Sequence, residues 1–525
     1  MSPLVLERPG TWRLATIVAI VALAVFPALV LVSASLPTWA FATVDRQFGL
    51  ALTTGTIVAA VAGLVGLVVG LPAGVMLGLF EFPGRRLFLA VLTIPVVIPT
   101  LLRAIGLSMF ESAVPEQVGR SLPPILGGAL AFSGFTVPLV LLAACAVTGG
   151  LSRNQIESVQ LARSDAAAFL QALRAAASTA VTVALFAAIL TLSDAGPPQL
   201  FAYPAPASEI LTSFAAFYDF PLAASQTLAL VAVVALLAMP VAISHVPSIA
   251  SSLLARDLSR FTRMANTRVY WLGPVLLLPI LLLTLFIPLA GLTMPLAFEF
   301  PWQRAWSEVA RTWGPTFGYA LGSAGIATVL ATLLAVAVGR FKRLRGGTLI
   351  ALVLLLGLPP AVSALGAVYM SASAPPALDF VFRSVFAVTT VLALRFLPVA
   401  ALLMMRGFAR TAPSWAETAA IHGVSFSTYV GRVLIPQLLP WLGLAVLLVA
   451  LLSTAEIGIV LLLRPPGSDS LPVTIFSVMA NAPEALVAMM SLLYVAGAAC
   501  IVTLVWFGPG AITRWMQGSK FKRSP

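Results

Sequence analysis

The chain reads as an all-α polytopic membrane protein of about twelve transmembrane helices built as two parallel six-helix repeats. Three observations predict this. Apolar runs of bilayer-spanning length recur along the chain, basic residues gather in alternate connecting loops, and a shift of 260 residues lays the second half on the first.

Hydrophobic residues make up 60% of the 525 positions and charged residues 9%, against about 25% charged in a soluble domain. Mean hydropathy is +1.04, which excludes a soluble core. A spanning helix needs about 20 mostly apolar residues, because in hydrocarbon each backbone N–H and C=O must bond within its own segment. Such runs lie near 13–34, 51–78, 88–110, 124–148, 176–194 and 222–245, and again near 270–292, 317–339, 347–370, 383–405, 437–462 and 487–508. The connections between them fall short of the roughly 50 residues of an independent domain. No G-x-x-x-x-G-K-[ST] phosphate loop occurs, and Gly518-Ser519-Lys520 has neither its spacing nor its order. The first run follows Arg8 and Arg13 but is about 22 residues long and closes on no clear small-x-small cleavage site, so it reads as a retained helix. Cys145 and Cys500 fall inside apolar runs, and His245 and His422 stand far apart, so neither a disulfide nor a metal site is expected.

The net charge of +12 has a topological reading. With the N-terminus inside, the inner loops and termini hold 22 of the 30 lysines and arginines, among them Arg85, Arg86, Arg153, Arg163, Arg340, Arg343, Arg345, Arg406 and Arg410. The outer loops hold 6, namely Arg46, Arg120, Arg304, Arg311, Arg383 and Arg464, and Arg103 and Arg395 remain inside runs. This positive-inside bias places both termini in the cytoplasm. It makes nucleic acid an unnecessary partner and attraction to anionic lipid a by-product.

The 260-residue shift places Pro99 on Pro359, Pro138 on Pro398, Glu157 on Glu417 and Phe169 on Tyr429. After a slip of two residues, Asp194 meets Glu456 and Gly196 meets Gly458. The expected halves are 1–255 and 256–525, in the same orientation and with a pathway between them.

The loop 412–436 carries the sharpest signal. Ser414 and Glu417 form an S-x-x-E capping box that predicts a helix start. Ala416, Ala419 and Ala420 give that helix a flat face, Gly423 permits the turn that ends it, and Pro436 marks the start of the next span. A short helix with a small-residue face and a projecting carboxylate suits docking against another protein, or serves only as a capped connector.

This stretch, E-T-A-A-I-H-G-V-S followed by Tyr429, Ile435 and Pro436, resembles the E-A-A---G loop of binding-protein-dependent ABC importer permeases. The whole chain, with two six-helix halves, is similar to the fused permeases of ferric-iron and thiamine importers. The resemblance implies a type I importer permease of the bacterial inner membrane. The loop would be its coupling helix, with Glu417, Ala420 and Gly423 as the motif core and Pro436 closing it; Thr418 departs from the usual alanine. It implies two copies of an ATP-binding subunit beneath the halves, an extracytoplasmic substrate-binding protein, ATP and magnesium held in the partners, and no catalytic residue or cofactor in this chain. The first half's copy, 152–176, retains Asn154 and Glu157 in a cap-like N-x-x-E, but Arg163 stands where Gly423 stands and Ala176 where Pro436 stands. Unequal coupling by the two loops is therefore expected.

An ionisable residue inside a span costs about 2.5–3.5 kcal/mol on insertion scales and marks a pathway or a buried partner. Arg395, Glu456, Asp194 and Arg103 are the candidates, as gate residues or as acid–arginine pairs that only pack. Pro95/Pro99 and Pro359/Pro360 interrupt the third and ninth runs, for a bend or for a cavity-lining backbone. The outer segments 196–208 and 464–472 read as surface loops suited to an external partner. Ferric iron, thiamine or another small solute is the substrate class that the resemblance leaves open. A secondary active transporter of the six-plus-six type is the alternative, on the faint likeness of FEFPGRR (80–86) to a major-facilitator loop; a membrane-embedded enzyme has no clustered His, Asp or Ser/Lys to support it.

Overall fold

The computed structural model describes residues 10–35, 45–113, 122–151, 164–254, 266–339 and 341–521, and these are helical with no strand among them. In chain order the helices are α1 (Thr11–Ser35), α2 (Arg46–Leu79), α3 (Arg85–Val97), α4 (Thr100–Ala113), α5 (Pro124–Thr148), α6 (Asp165–Leu192), α7 (Gly196–Phe201), α8 (Pro206–Ala215) and α9 (Phe220–Leu254). There follow α10 (Thr267–Ala297), α11 (Trp302–Val338), α12 (Lys342–Gly357), α13 (Pro360–Ser373), α14 (Val385–Ala409), α15 (Pro413–Ile421), α16 (Phe426–Ala455), α17 (Gly458–Leu463), α18 (Leu471–Val478) and α19 (Glu484–Phe521). Ten of these are long and apolar enough to cross a membrane, and the number reaches twelve if each of two bent pairs is one span.

The bent pairs are the third and ninth sequence runs. Each is broken outright: α3 and α4 meet at 98°, and α12 and α13 at 82°. Ile98 and Leu358 take extended backbone at the breaks, as the residue before a proline prefers. Elsewhere proline is absorbed without a break. Wide π-type turns span Gly66–Gly70, Leu282–Phe286 and Val430–Leu434, and each ends two residues before a proline, Pro72, Pro288 or Pro436. Proline has no N–H and crowds the carbonyl four residues back, and a widened turn moves that carbonyl aside.

Three expectations about the ends of elements are corrected. α16 begins at Phe426, so Pro436 lies within a continuous helix and is not its start. α11 begins at Trp302, well before the expected 317, and its added turns expose Trp302, Trp306 and Trp313, the residue type that favours a membrane–water interface. The segment 196–208 is not a free loop: it forms α7 and the start of α8, with Gly196, Pro197, Pro198 and Tyr203 buried. In 464–472 only Pro466 and Gly467 are exposed, and Arg464 is tied to Asp469.

Packing divides the helices into two groups that exchange their first members. α2, α5 and α6 pack on one another, as do α11, α14 and α16. α1 leaves the first group to lie against α11 and α13, while α10 lies against α3 and α4. Both crossings are backbone-close. A Cβ on Gly106 of α4 would sit 2.2 Å from the Pro288 carbonyl oxygen of α10, and one on Gly366 of α13 would sit 2.2 Å from the Pro27 carbonyl oxygen of α1.

Gly106→Ala and Gly366→Ala are each expected to lower stability by about 1–3 kcal/mol, because neither backbone can retreat from the new methyl. Gly497→Ala on α19, with nothing within 4 Å, is the control and should leave stability unchanged or slightly raised. Thermal unfolding in one detergent measures all three.

Candidate functional site

The two breaks leave helix carbonyls with no partner inside their own helices, and in an apolar interior each such group costs several kcal/mol. Two arginines supply donors. Arg103, 3% exposed, donates from one terminal nitrogen to the Pro95 and Ile98 carbonyls, both at 2.9 Å. Arg395, 5% exposed, donates from its Nη1 to the Leu356 carbonyl at 2.9 Å and to the Leu358 carbonyl. Ile98 and Leu358 stand 260 residues apart in sequence, yet the arginines do not: Arg103 comes from α4 itself, and Arg395 from the neighbouring α14. Gly134 of α5 makes the first arrangement possible, since a Cβ there would lie 2.6 Å from the Arg103 Cδ. A positive charge at a helix C-terminus also meets the negative end of the helix dipole.

The acids do not pair with these arginines. No ion pair within 4.0 Å joins Asp194 or Glu456 to Arg103 or Arg395 among the described residues, which corrects the expectation of acid–arginine pairs. Asp194 instead accepts from the Thr100 hydroxyl at the first residue of α4 and from the Gly196 N–H at 2.9 Å. Glu456, just past the end of α16, lies against the Gly458 and Ile459 amides. Both acids therefore sit at the starts of helices, where a negative charge is favoured.

Asp194, Glu456 and Arg395 line one cavity of about 180 Å³, together with Pro99, Thr100, Pro360 and the rings of Phe132, Phe135, Phe214, Phe396 and Phe476. Its walls come from both groups of helices and its lining is mostly apolar. Arg103 stands behind it, over Gly134. Three of the four ionisable residues singled out from sequence thus converge, and the fourth holds the break that forms one wall. Thr100 and the phenylalanines were not foreseen. The Pro99-Thr100 pair was a signal for the first, because a hydroxyl directly after a helix-breaking proline is placed to cap or be capped; phenylalanine in an apolar run carries no such signal.

The loop after α14 differs in detail from its sequence reading. α15 begins at Pro413, with Ala412 before it and no side-chain cap, so the S-x-x-E box does not form. Proline at the first helical position presets the backbone there and shifts the start, leaving Ser414 inside the first turn. The alanine face is turned inward: Ala416 is fully buried and Ala419 packs on the core of α11, α14 and α16. The free surface carries Trp415, Glu417, Thr418, Ile421 (83% exposed) and His422, while Ala420 is half-buried. Gly423 ends the helix at φ +67°, a left-handed conformation that favours glycine. An open groove beside α15 is lined by Trp415, His422, Tyr429, Arg432 and Pro436. Glu157, with residues 152–163 of the first-half loop, lies outside the described residues, as does the expected boundary between the halves at 255/256; the rest of that loop, 164–176, is Ser164 and the start of α6.

Comparison with protein families, with curated proteins and with solved structures gives no match to this chain.

Arg103→Met and Arg395→Met should each destabilise by about 2–4 kcal/mol, because each strands two buried carbonyls. The lysine variants, which keep one charged nitrogen, should fall between methionine and the parent. Denaturation of the purified chain in detergent reads the order.

Proposed function

We propose that the chain is the transmembrane permease subunit of an ATP-binding-cassette importer in a bacterial inner membrane, with both termini cytoplasmic. It provides the substrate path between two six-helix halves and takes its energy from separate ATPase subunits. The observation that carries this reading is α15, a nine-residue helix set in the connection between two spans. It rests on small residues and presents Glu417, Trp415 and Ile421 outward, which is the form of a docking lever. The likeness of its sequence to the E-A-A---G loop agrees with that form.

The packing supports the two-half reading. Several helix contacts come in matching pairs: α1 on α13 answers α10 on α4, α9 on α12 answers α19 on α3, and α4 on α7 answers α13 on α17. The two close glycines, Gly106 and Gly366, fall in the 260-residue register, and the prolines they meet, Pro27 and Pro288, fall one residue from it. A cavity walled by both groups suits a path that opens and closes as they rock. Ferric iron, thiamine and other small solutes are the candidate cargo, delivered by an extracytoplasmic binding protein, and two ATP-binding subunits would sit on α15 and on its first-half counterpart around Glu157.

Copurification of the tagged chain from its native membrane should bring down an ATP-binding subunit. Uptake driven by an ion gradient alone, with no ATPase present, would overturn the reading in favour of a secondary transporter. With the assembled complex, Glu417→Lys should cut transport-coupled ATP hydrolysis by tenfold or more without changing thermal stability, since the side chain is exposed and makes no hydrogen bond among the described residues. Glu157→Lys should cost clearly less, because its loop lacks the glycine turn. Equal losses would rule out unequal coupling.

A further inference from the structure

The charges that line the cavity are held apart by the backbone. Asp194 is fixed by Thr100 and Gly196, Glu456 lies against the amides of Gly458 and Ile459, and Arg395 is fixed by the Leu356 and Leu358 carbonyls. Each is satisfied only in part. A carboxylate has about four acceptor sites and a guanidinium five N–H donors, whereas Arg395 engages Nη1 alone and its buried Nε has no hydrogen-bond partner. Opposite charges that line one low-dielectric space without a direct hydrogen bond between them keep the cost of desolvation and leave part of their pairing capacity unused. A molecule carrying both signs, placed between them, takes up that capacity at each end.

We propose that the cavity binds a small zwitterion with an ammonium group, a carboxylate and an apolar tail. The ammonium takes the acceptor sites left on Asp194 and Glu456, the carboxylate takes the free N–H groups of Arg395, and the tail packs among Phe132, Phe135 and Phe396. This rests on the permease reading and names the class of solute for it. A simple cation meets Arg395 unfavourably, and a simple anion meets two carboxylates. Among the described residues no three His, Cys, Asp or Glu side chains come together as metal ligands would. The volume of about 180 Å³ is below the roughly 300–1,000 Å³ of pockets for drug-sized ligands, which fits a molecule of amino-acid size.

The test uses the full chain in lipid nanodiscs and four probes at equal concentration: leucine, isopentylamine (the amine without the carboxylate), 4-methylpentanoate (the acid without the ammonium) and thiamine. Leucine is expected to raise the unfolding temperature saturably and the other three to leave it unchanged. Glu456→Gln should weaken the leucine effect at least tenfold, the shift being read against the variant's own unliganded unfolding temperature. An equal shift with isopentylamine or thiamine would overturn the proposal in favour of a cation site, and no saturable shift with leucine would overturn it altogether. Copurification of the ATP-binding subunit is read separately, so loss of the zwitterion site leaves the permease reading standing, and loss of the ATPase removes the premise of both.

Discussion

A helix that stops where its last carbonyls are shut away from water leaves acceptors that its own next turn cannot reach, and among the described residues Arg13, Arg85, Arg103 and Arg395 supply donors to such carbonyls. Arg13, with no exposed surface, donates to the Val336 and Ala337 carbonyls at the end of α11. Arg85 donates to the Leu77 carbonyl near the end of α2. Arg103 and Arg395 serve the breaks at Ile98 and Leu358. Without such donors the carbonyls that the prolines strand at Pro95 and Leu356 would be buried unpaired beside the walls formed by Pro99, Thr100 and Pro360. An arginine suits the task because its fork of donors is charged at all accessible pH values and its stem is apolar enough to be buried.

The same constraint explains what the sequence disclosed. Spans were legible because the hydrocarbon demands long apolar runs, and the breaks were signalled by Pro99 and Pro359. Where the arginines point was not legible: Arg395 in an apolar run reads as a gate or an ion-pair partner, and nothing local says that its donors go to a backbone 37 residues back. Local motifs failed where a stronger local rule applied. Pro413 set the start of α15 against the Ser414/Glu417 pair, and a π-type turn absorbed Pro436 against its reading as a helix start. The alanines of α15 were recognised as a flat face, but composition does not say whether a flat face turns toward the body or away. The close glycines, Gly106 and Gly366, were invisible because their partners lie on helices that cross from the other group.

The positions of α14, α15 and α16 join the two regions of interest. α15 sits between them in sequence; α14 carries Arg395 into the cavity, and α16 ends at Ala455, directly before Glu456. A displacement of α15 would therefore be felt first by the two helices that bring the second group's charges to the cavity. Because Arg395 also holds the end of α12, such a shift is resisted by buried backbone hydrogen bonds, so two discrete arrangements are a more natural response than a gradual one.

The exchange of first helices has a consequence for biosynthesis. Pro27 meets Gly366, 339 positions later in the chain, so α1 enters the membrane long before its seat exists. At about 5–20 residues per second, the interval is on the order of tens of seconds. Throughout it, α1 has only lipid, chaperones and its own half for company, with the backbone face at Pro27 uncovered. Completion of the seat of α1 is thus contingent on translation of the second half, and a ribosome that stalls after α9 leaves an orphan whose leading helix can meet α9 but lacks the faces of α11 and α13.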